Sequence, residues 1–237
     1  MMRRHTRRIG WGMAVLAMLA FGLLGRWQLQ RMDAKAALLA AAEAASHAPA
    51  MPLVRALADT RASVQRISDH GRFLPGVVLL DNQMRDGRAG VKVYRPFRSD
   101  AGATVLVDLG WRALPPDRAL PALAAPPSPV TVAGLLAPPP APGLALGPAM
   151  VDAGPQRWLA ARLQPAAIAP RVGLPALPGR VLRLDPALPF GDARDLDLLP
   201  NTLPPQRHLG YAVQWFALAL TVLIVALVLE ARRRRAR

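Results

Sequence analysis

His208 is the residue in this chain that invites a chemical reading first. It stands immediately before an uncharged run of 21 residues, Leu209 to Leu229, inside the segment PNTLPPQRHLGYAVQW (Pro200 to Trp215). On a helix Tyr211 falls at i+3 and Trp215 at i+7 from it, so the three share a face that Gln214 flanks. A neutral imidazole at a membrane boundary is a good axial ligand for haem iron, with aromatic rings available to pack a porphyrin plane. The same residues also suit the aromatic belt found at span boundaries. Gln214 is harder to assign to lipid, because a polar amide inside a span contacts protein or ligand. Trp27, Gln28 and Arg31 form a matching feature at the end of an earlier apolar run. A contact between the two runs at this depth would bring Gln28 near Gln214.

Other chemistry is sparse. The sequence has no cysteine, which excludes disulfides, thiol catalysis, cysteine zinc sites and iron–sulfur clusters. It has no GxSxG, HExxH, Walker-type or GxGxxG pattern. His5, His47, His70 and His208 lie far apart, so a metal site made of histidines alone is not expected. Asp81, Asp86 and Asp108 fall in or beside short β-like runs, where we read them as solvated or capping groups rather than an acid–base pair. An enzyme is not expected.

The elements that must position these residues are membrane helices. Ile9 to Gly25 is an uncharged run of 17 residues, about 25 Å as a helix, and Leu209 to Leu229 spans about 31 Å. Only helices or closed barrels satisfy the backbone in lipid. The chain carries a formal charge of +15, and Arg outnumbers Lys 28 to 2. Residues 1–8 and 230–237 each carry +4, which leaves +7 on the 183 residues from 26 to 208. The positive-inside rule places both termini in the cytoplasm and residues 27–208 outside, in the periplasm of a bacterial inner membrane. More than half of the charge is therefore topological, and nucleic acid is not an expected partner. We read the first span as an uncleaved anchor, because the small-x-small triplet Ala20-Phe21-Gly22 lies inside the apolar run and more leucines follow it. With eight residues at each cytoplasmic end, no nucleotide-binding or signalling output is expected there, and function is expected in the outer domain, the spans, or both.

The expected organisation is a basic tail over residues 1–8, a first span over 9–26 and a helical extension over 27–48. A β-rich α+β domain with Pro-rich loops follows over 49–207, then a second span over 208–229 and a basic tail over 230–237. Arg26 to Ser46 lacks Gly and Pro and is rich in strong helix formers, with Trp27, Arg31 and Lys35 on one face. Pro49 and Pro52 end it. Ala62–Phe73, Val77–Gln83, Val91–Phe97, Thr104–Trp111, Val130–Leu136 and Val181–Leu184 read as strands, with Asp86-Gly87 as a hairpin turn. Residues 115–205 hold 21 of the 25 prolines, which excludes long helices there. Ala160–Ala169 is the one short helix expected in that region, interrupted by Pro165.

At these residues the sequence resembles a known family. LGRWQLQRMDAK (Leu24 to Lys35) resembles the "LGxWQxxRxxxK" segment of the Surfeit locus protein 1 family, the cytochrome c oxidase assembly factors. HLGYAVQWF (His208 to Phe216) is similar to its "HxxYAxQWF". VVLLDNQMRDGRAGVKVYRPF resembles its "LLDNR…G…GYxVxTPL" strand pair, and VLVDLGW (Val105 to Trp111) its "VLVNRGW". The four segments occur in family order. The resemblance implies a non-enzymatic factor that assists haem a delivery to the catalytic subunit of a haem–copper cytochrome c oxidase. Its expected partners are that subunit, the lipid bilayer and the haem a synthesis machinery, with haem a as a transient cofactor. By the same resemblance His208 matches the histidine proposed to contact haem. Tyr211, Gln214 and Trp215 match the rest of that segment; Gly25, Trp27, Gln28 and Arg31 match the first; Asn82, Gly90, Gly110 and Trp111 match the strands. Two departures stand out. Leu109 replaces the cation of "NRGW", and Val91 replaces an aromatic. The other role the resemblance admits is a structural chaperone that holds the oxidase subunit without touching haem.

Overall fold

The computed structural model describes residues 2–142, 147–199 and 202–235. Pro200 and Asn201 of the segment before the second span lie outside them. The chain forms two compact units, Met1–Ala37 with Thr202–Arg237, and Leu38–Asn201.

The first unit is a pair of antiparallel helices. α1 runs Met2–His47 without a break and α4, the last of four helices among the described residues, runs Pro205–Arg235. Within the unit, contacts pair early residues of one helix with late residues of the other. Arg7 meets Glu230 at 2.9 Å, and the rings of Phe21 and Trp215 stack with centroids 5.7 Å apart. Gly25 lies under the Phe216 ring so closely that a Cβ would sit 2.7 Å from two ring carbons. Elsewhere the helices present Leu16, Leu19, Leu23, Leu220 and Ile224 outward. Two helices long and apolar enough to cross a membrane, with leucines exposed around them, make this a membrane protein.

The second unit is a β-rich domain. Its strands are β1 (Gln65–Phe73), β2 (Val77–Arg85), β3 (Arg88–Ser99), β4 (Thr104–Ala113), β5 (Val130–Ala137), β6 (Met150–Asp152), β7 (Arg157–Ala160) and β8 (Val181–Leu184). They form one sheet in the order β1-β5-β8-β4-β3-β2-β7-β6, and β1 also pairs with the far end of β3 through Gly71–Ser99 and Phe73–Phe97. That extra pairing closes β1, β5, β8, β4 and β3 into a ring, with β2, β7 and β6 continuing from the other half of β3. Period-two alternation fills the interior: Ile67, Val91, Val93, Phe97, Val105, Val107, Val132 and Leu182 point inward. Burying such side chains contributes roughly 1.5–3 kcal/mol each. Leu109 packs in this core, which accounts for an apolar residue where the resembled motif has a cation. The opposite face gathers Val78, Leu80, Tyr94, Leu106 and Val181 beneath Ile168 and Leu174. Leu38, Ala41, Ala42 and Ala45 of α1 pack against Val64, Leu135 and Ala137.

Asp86 (φ 50°) and Gly87 (φ 74°) make the tight two-residue hairpin between β2 and β3. Four elements differ from the sequence expectation, among them the three-residue strand β6. A six-residue helix, α2 (Leu53–Ala58), follows Pro52, too short for periodicity to reveal; it buries Leu53 and Ala56. The helix expected over 160–169 is α3, Pro165–Ile168 only, because Pro165 starts it rather than interrupting it. Upstream, Arg157–Ala160 is extended and pairs in parallel with Val77–Leu80.

Asp108 requires a correction as well: it is not solvated. It is buried, accepting from Lys92 Nζ at 3.0 Å, the Tyr94 hydroxyl at 3.1 Å and the Gly110 amide at 3.1 Å. On the neighbouring strand Arg183, 2% exposed, sits in register with it and donates to the Asp197 carbonyl. Burial, reinforced by the Asp108 carboxylate, pushes the Tyr94 hydroxyl well above the ordinary tyrosine range. Its pKa is raised on folding, so its contribution is complete below the unfolded value of about 10 and is lost as pH climbs beyond it. Tyrosinate absorbance in an alkaline titration should therefore include a component that develops only with unfolding, and Tyr94→Phe should remove that component.

Candidate functional site

The candidate site lies in the two-helix unit, at the end opposite the Arg-rich termini, and its geometry begins with how α4 starts. Pro205 occupies the first helical position, where its fixed φ suits the helix and its missing N–H costs nothing. Lys35 Nζ donates to the Leu203 carbonyl at 2.5 Å, holding the residues just ahead of the helix. His208 then falls in the first turn, facing α1 and only 8% exposed.

From α1, Gln28 reaches His208: its Oε1 lies 2.7 Å from Nδ1. An amide oxygen only accepts, so Nδ1 carries the hydrogen and donates. Nε2 is then left with its lone pair. It is buried and has no hydrogen-bond partner among the described residues. A proton on Nε2 would have no acceptor, so the neutral Nδ1–H tautomer is the one the site supports. This is the arrangement by which a second group orients a ligating histidine and fixes which nitrogen faces the metal.

Two cations bear on the imidazole, Lys35 and Arg31. The Arg31 guanidinium lies 5.9 Å from the centroid of the Trp27 ring, a cation–π contact on the outer flank of α1. Trp27 itself is 50% exposed. Of Trp27, Gln28 and Arg31, Gln28 is the one that makes a hydrogen bond to His208.

The rest of the α4 segment divides. Trp215 faces α1 but its ring is engaged with Phe21. Tyr211 is 41% exposed and Gln214 is also exposed. Helical geometry explains the split: at 3.6 residues per turn, seven residues bring Trp215 within roughly 20° of His208, whereas three turn Tyr211 roughly 60° aside. The face behind His208 is completed by Ala212, which is buried. The anticipated approach of Gln28 to Gln214 does not occur, since Gln28 is engaged by the histidine and Gln214 faces outward.

Sequence reasoning placed Lys35 on the right face without giving it a role; its position one turn beyond Arg31 was the available signal. It gave no sign of Phe21, whose importance comes only from the ring it meets.

Two residues matched in the strand segments serve the β domain. The Trp111 indole donates to the Gln83 carbonyl at 2.8 Å. Asn82 adopts φ 58° where β2 bulges against β3.

What the helix-pair site can hold follows from its donor set. Among the described residues no group of three or more His, Asp or Glu side chains is arranged for a metal ion. A single imidazole nitrogen is a poor cage for a bare ion. It is a complete protein contribution for an iron whose other ligands come from a porphyrin.

A search of curated proteins gives no match to this sequence. The sequence model of the SURF1 family matches residues 15–220, which cover α1 from Val15 onward, the whole β-rich domain and α4 as far as Leu220. The chain belongs to the SURF1 family, the assembly factors of cytochrome c oxidase.

Proposed function

We propose that this protein assists the delivery of haem a to the catalytic subunit of a haem–copper cytochrome c oxidase, holding the haem in transit at the membrane boundary. One observation carries the reading: His208 presents a buried, unpartnered Nε2 while Gln28 holds its Nδ1. In this role Nε2 takes the iron. Arg31, with Arg26 and Arg207 nearby in sequence, pairs with the propionates by charge-assisted hydrogen bonds. Trp27 and Tyr211, both half-exposed, offer ring faces to the porphyrin edge. Binding through one imidazole is suited to a cargo that must be released. The Arg-rich termini lie in the cytoplasm and residues 27–208 in the periplasm, by the charge asymmetry of the spans. The β-rich domain engages the oxidase subunit.

A second reading draws on the burial of the same atom. Nε2 has to be uncovered before iron reaches it, and Trp215 is already stacked on Phe21. A chaperone that holds the oxidase subunit without haem needs no such opening.

The visible spectrum of the detergent-purified protein from cells that make haem a separates the two. Wild type is expected to carry a haem a band that His208→Ala loses. Gln28→Leu, which frees the ring, should lower haem retention about 10–100-fold. Equal bands in wild type and His208→Ala would move the ligand elsewhere. No haem in either, with both folded, would favour the second reading.

A further inference from the structure

At its Arg-rich end the helix pair is not closely packed. A groove of about 320 Å³ opens between α1 and α4, floored by Gly10, Ala14, Val222 and Ala226. Gly10 and Ala14 of α1 and Ala226 of α4 are the small residues among its lining, and a Cβ on Gly10 would meet nothing within 4 Å. Nearer the middle of the pair the helices are in contact through Phe21, Trp215, Gly25 and Phe216. The gap is therefore local. A helix is about 10 Å across and needs a long seam. A gap of this size, confined to one end of the pair, fits a flexible hydrocarbon chain better.

The mouth of the groove is cationic. Glu230 lies at the rim, but Arg7 at 2.9 Å, Arg234 at 3.2 Å and the Trp11 indole cover its carboxylate. Two arginines on one glutamate leave a net positive charge. Arg233 also lines the mouth, and among the described residues no carboxylate pairs with it. The flanking sequence adds to this, with +4 on residues 1–8 and +4 on residues 230–237. An apolar floor under a cationic rim complements an acyl chain joined to an anionic headgroup. Basic pockets between membrane helices take such lipids.

We propose that this groove binds one anionic phospholipid of the leaflet that holds the Arg-rich ends. An acyl chain lies along Gly10, Ala14 and Ala226, and the headgroup phosphate meets Arg233. The site is separate from His208, and the proposal does not depend on haem binding.

Native mass spectrometry of the full chain, released from detergent with phosphatidylglycerol or phosphatidylcholine of identical acyl chains, tests it. Wild type should retain one phosphatidylglycerol in preference to phosphatidylcholine. Gly10→Leu fills the groove with every charge intact and should lower that retention about tenfold. Ala226→Leu does the same from the other helix and guards against a folding defect in either variant, with helix content checked by circular dichroism. Arg233→Gln should lower the preference about fivefold, and Arg235→Gln should leave it near wild type. Undiminished phosphatidylglycerol on both groove-filled variants would overturn the proposal in favour of attraction to the arginine cluster alone. Equal retention of the two lipids by wild type would overturn it in favour of an unselective hydrocarbon groove.

Discussion

Replacing Asp108 with alanine is expected to lower the unfolding free energy by about 3–5 kcal/mol, the cost of removing one partner from a buried ion pair. The Lys92–Asp108 pair is enclosed, with side chains 11% and 5% exposed. Removing the carboxylate leaves the Lys92 ammonium, the Tyr94 hydroxyl and the Gly110 amide without their acceptor. Each unsatisfied buried group costs about 1–3 kcal/mol, more when charged. The partner removal, not the pair itself, carries the penalty. The double variant Asp108→Leu with Lys92→Met should therefore recover much of the loss, because an apolar replacement of a buried pair is often neutral. Urea unfolding of the full chain, followed by tryptophan fluorescence, measures both. A loss below about 1 kcal/mol for Asp108→Ala would mean the pair behaves as an exposed one.

Gly110→Ala is the second large effect, at about 3–5 kcal/mol from backbone strain together with overpacking. Gly110 has φ +117°, and a Cβ there would lie 2.6 Å from the Asp192 carbonyl oxygen and 2.9 Å from that of Ala193. Neither oxygen belongs to a side chain that can swing away. The segment is tied on both sides of the glycine, by Trp111 N to Ala193 O at 2.7 Å and Asp192 N to Leu109 O at 2.7 Å. Gly102 supplies the control. It too has positive φ, +85°, but nothing lies within 4 Å of its Cβ position. Gly102→Ala should therefore cost only the conformational part, about 1–2 kcal/mol. If the two substitutions cost the same, close approach is not what fixes glycine at 110.

These two residues also mark where reading the sequence succeeds and where it stops. Uniform apolar runs, Asp86-Gly87 and the alternating stretches of β2 to β5 are local signals, and they give the two long helices and the principal strands. α2 and β6 are too short to carry a period, and Pro165 reads as a breaker when its role is to begin a turn. The burial of Asp108 is not legible locally because its environment comes from Lys92 and Tyr94 on β3 and Arg183 on β8, which no window around it contains. The site shows the same limit. His208 is conspicuous from its boundary position and from the resemblance of its segment. That Gln28 meets it, rather than approaching Gln214, depends on how two helices rotate against each other. Counting whole turns groups Tyr211 with His208 and Trp215, and the remainder of roughly 60° separates it.

The hydrogen bond between Gln28 and His208 joins residues 180 positions apart, with the entire β-rich domain between them in the chain. Its two halves are therefore synthesised 180 residues apart. A nascent chain that has made only its first helix has no partner for Gln28, and one truncated anywhere before residue 208 never acquires the imidazole. The Gln28–His208 contact thus forms only once the β-rich domain has been made and the last helix has arrived. Under the proposed function, an unfinished copy lacks the imidazole that would hold haem and is left without a site rather than with half of one.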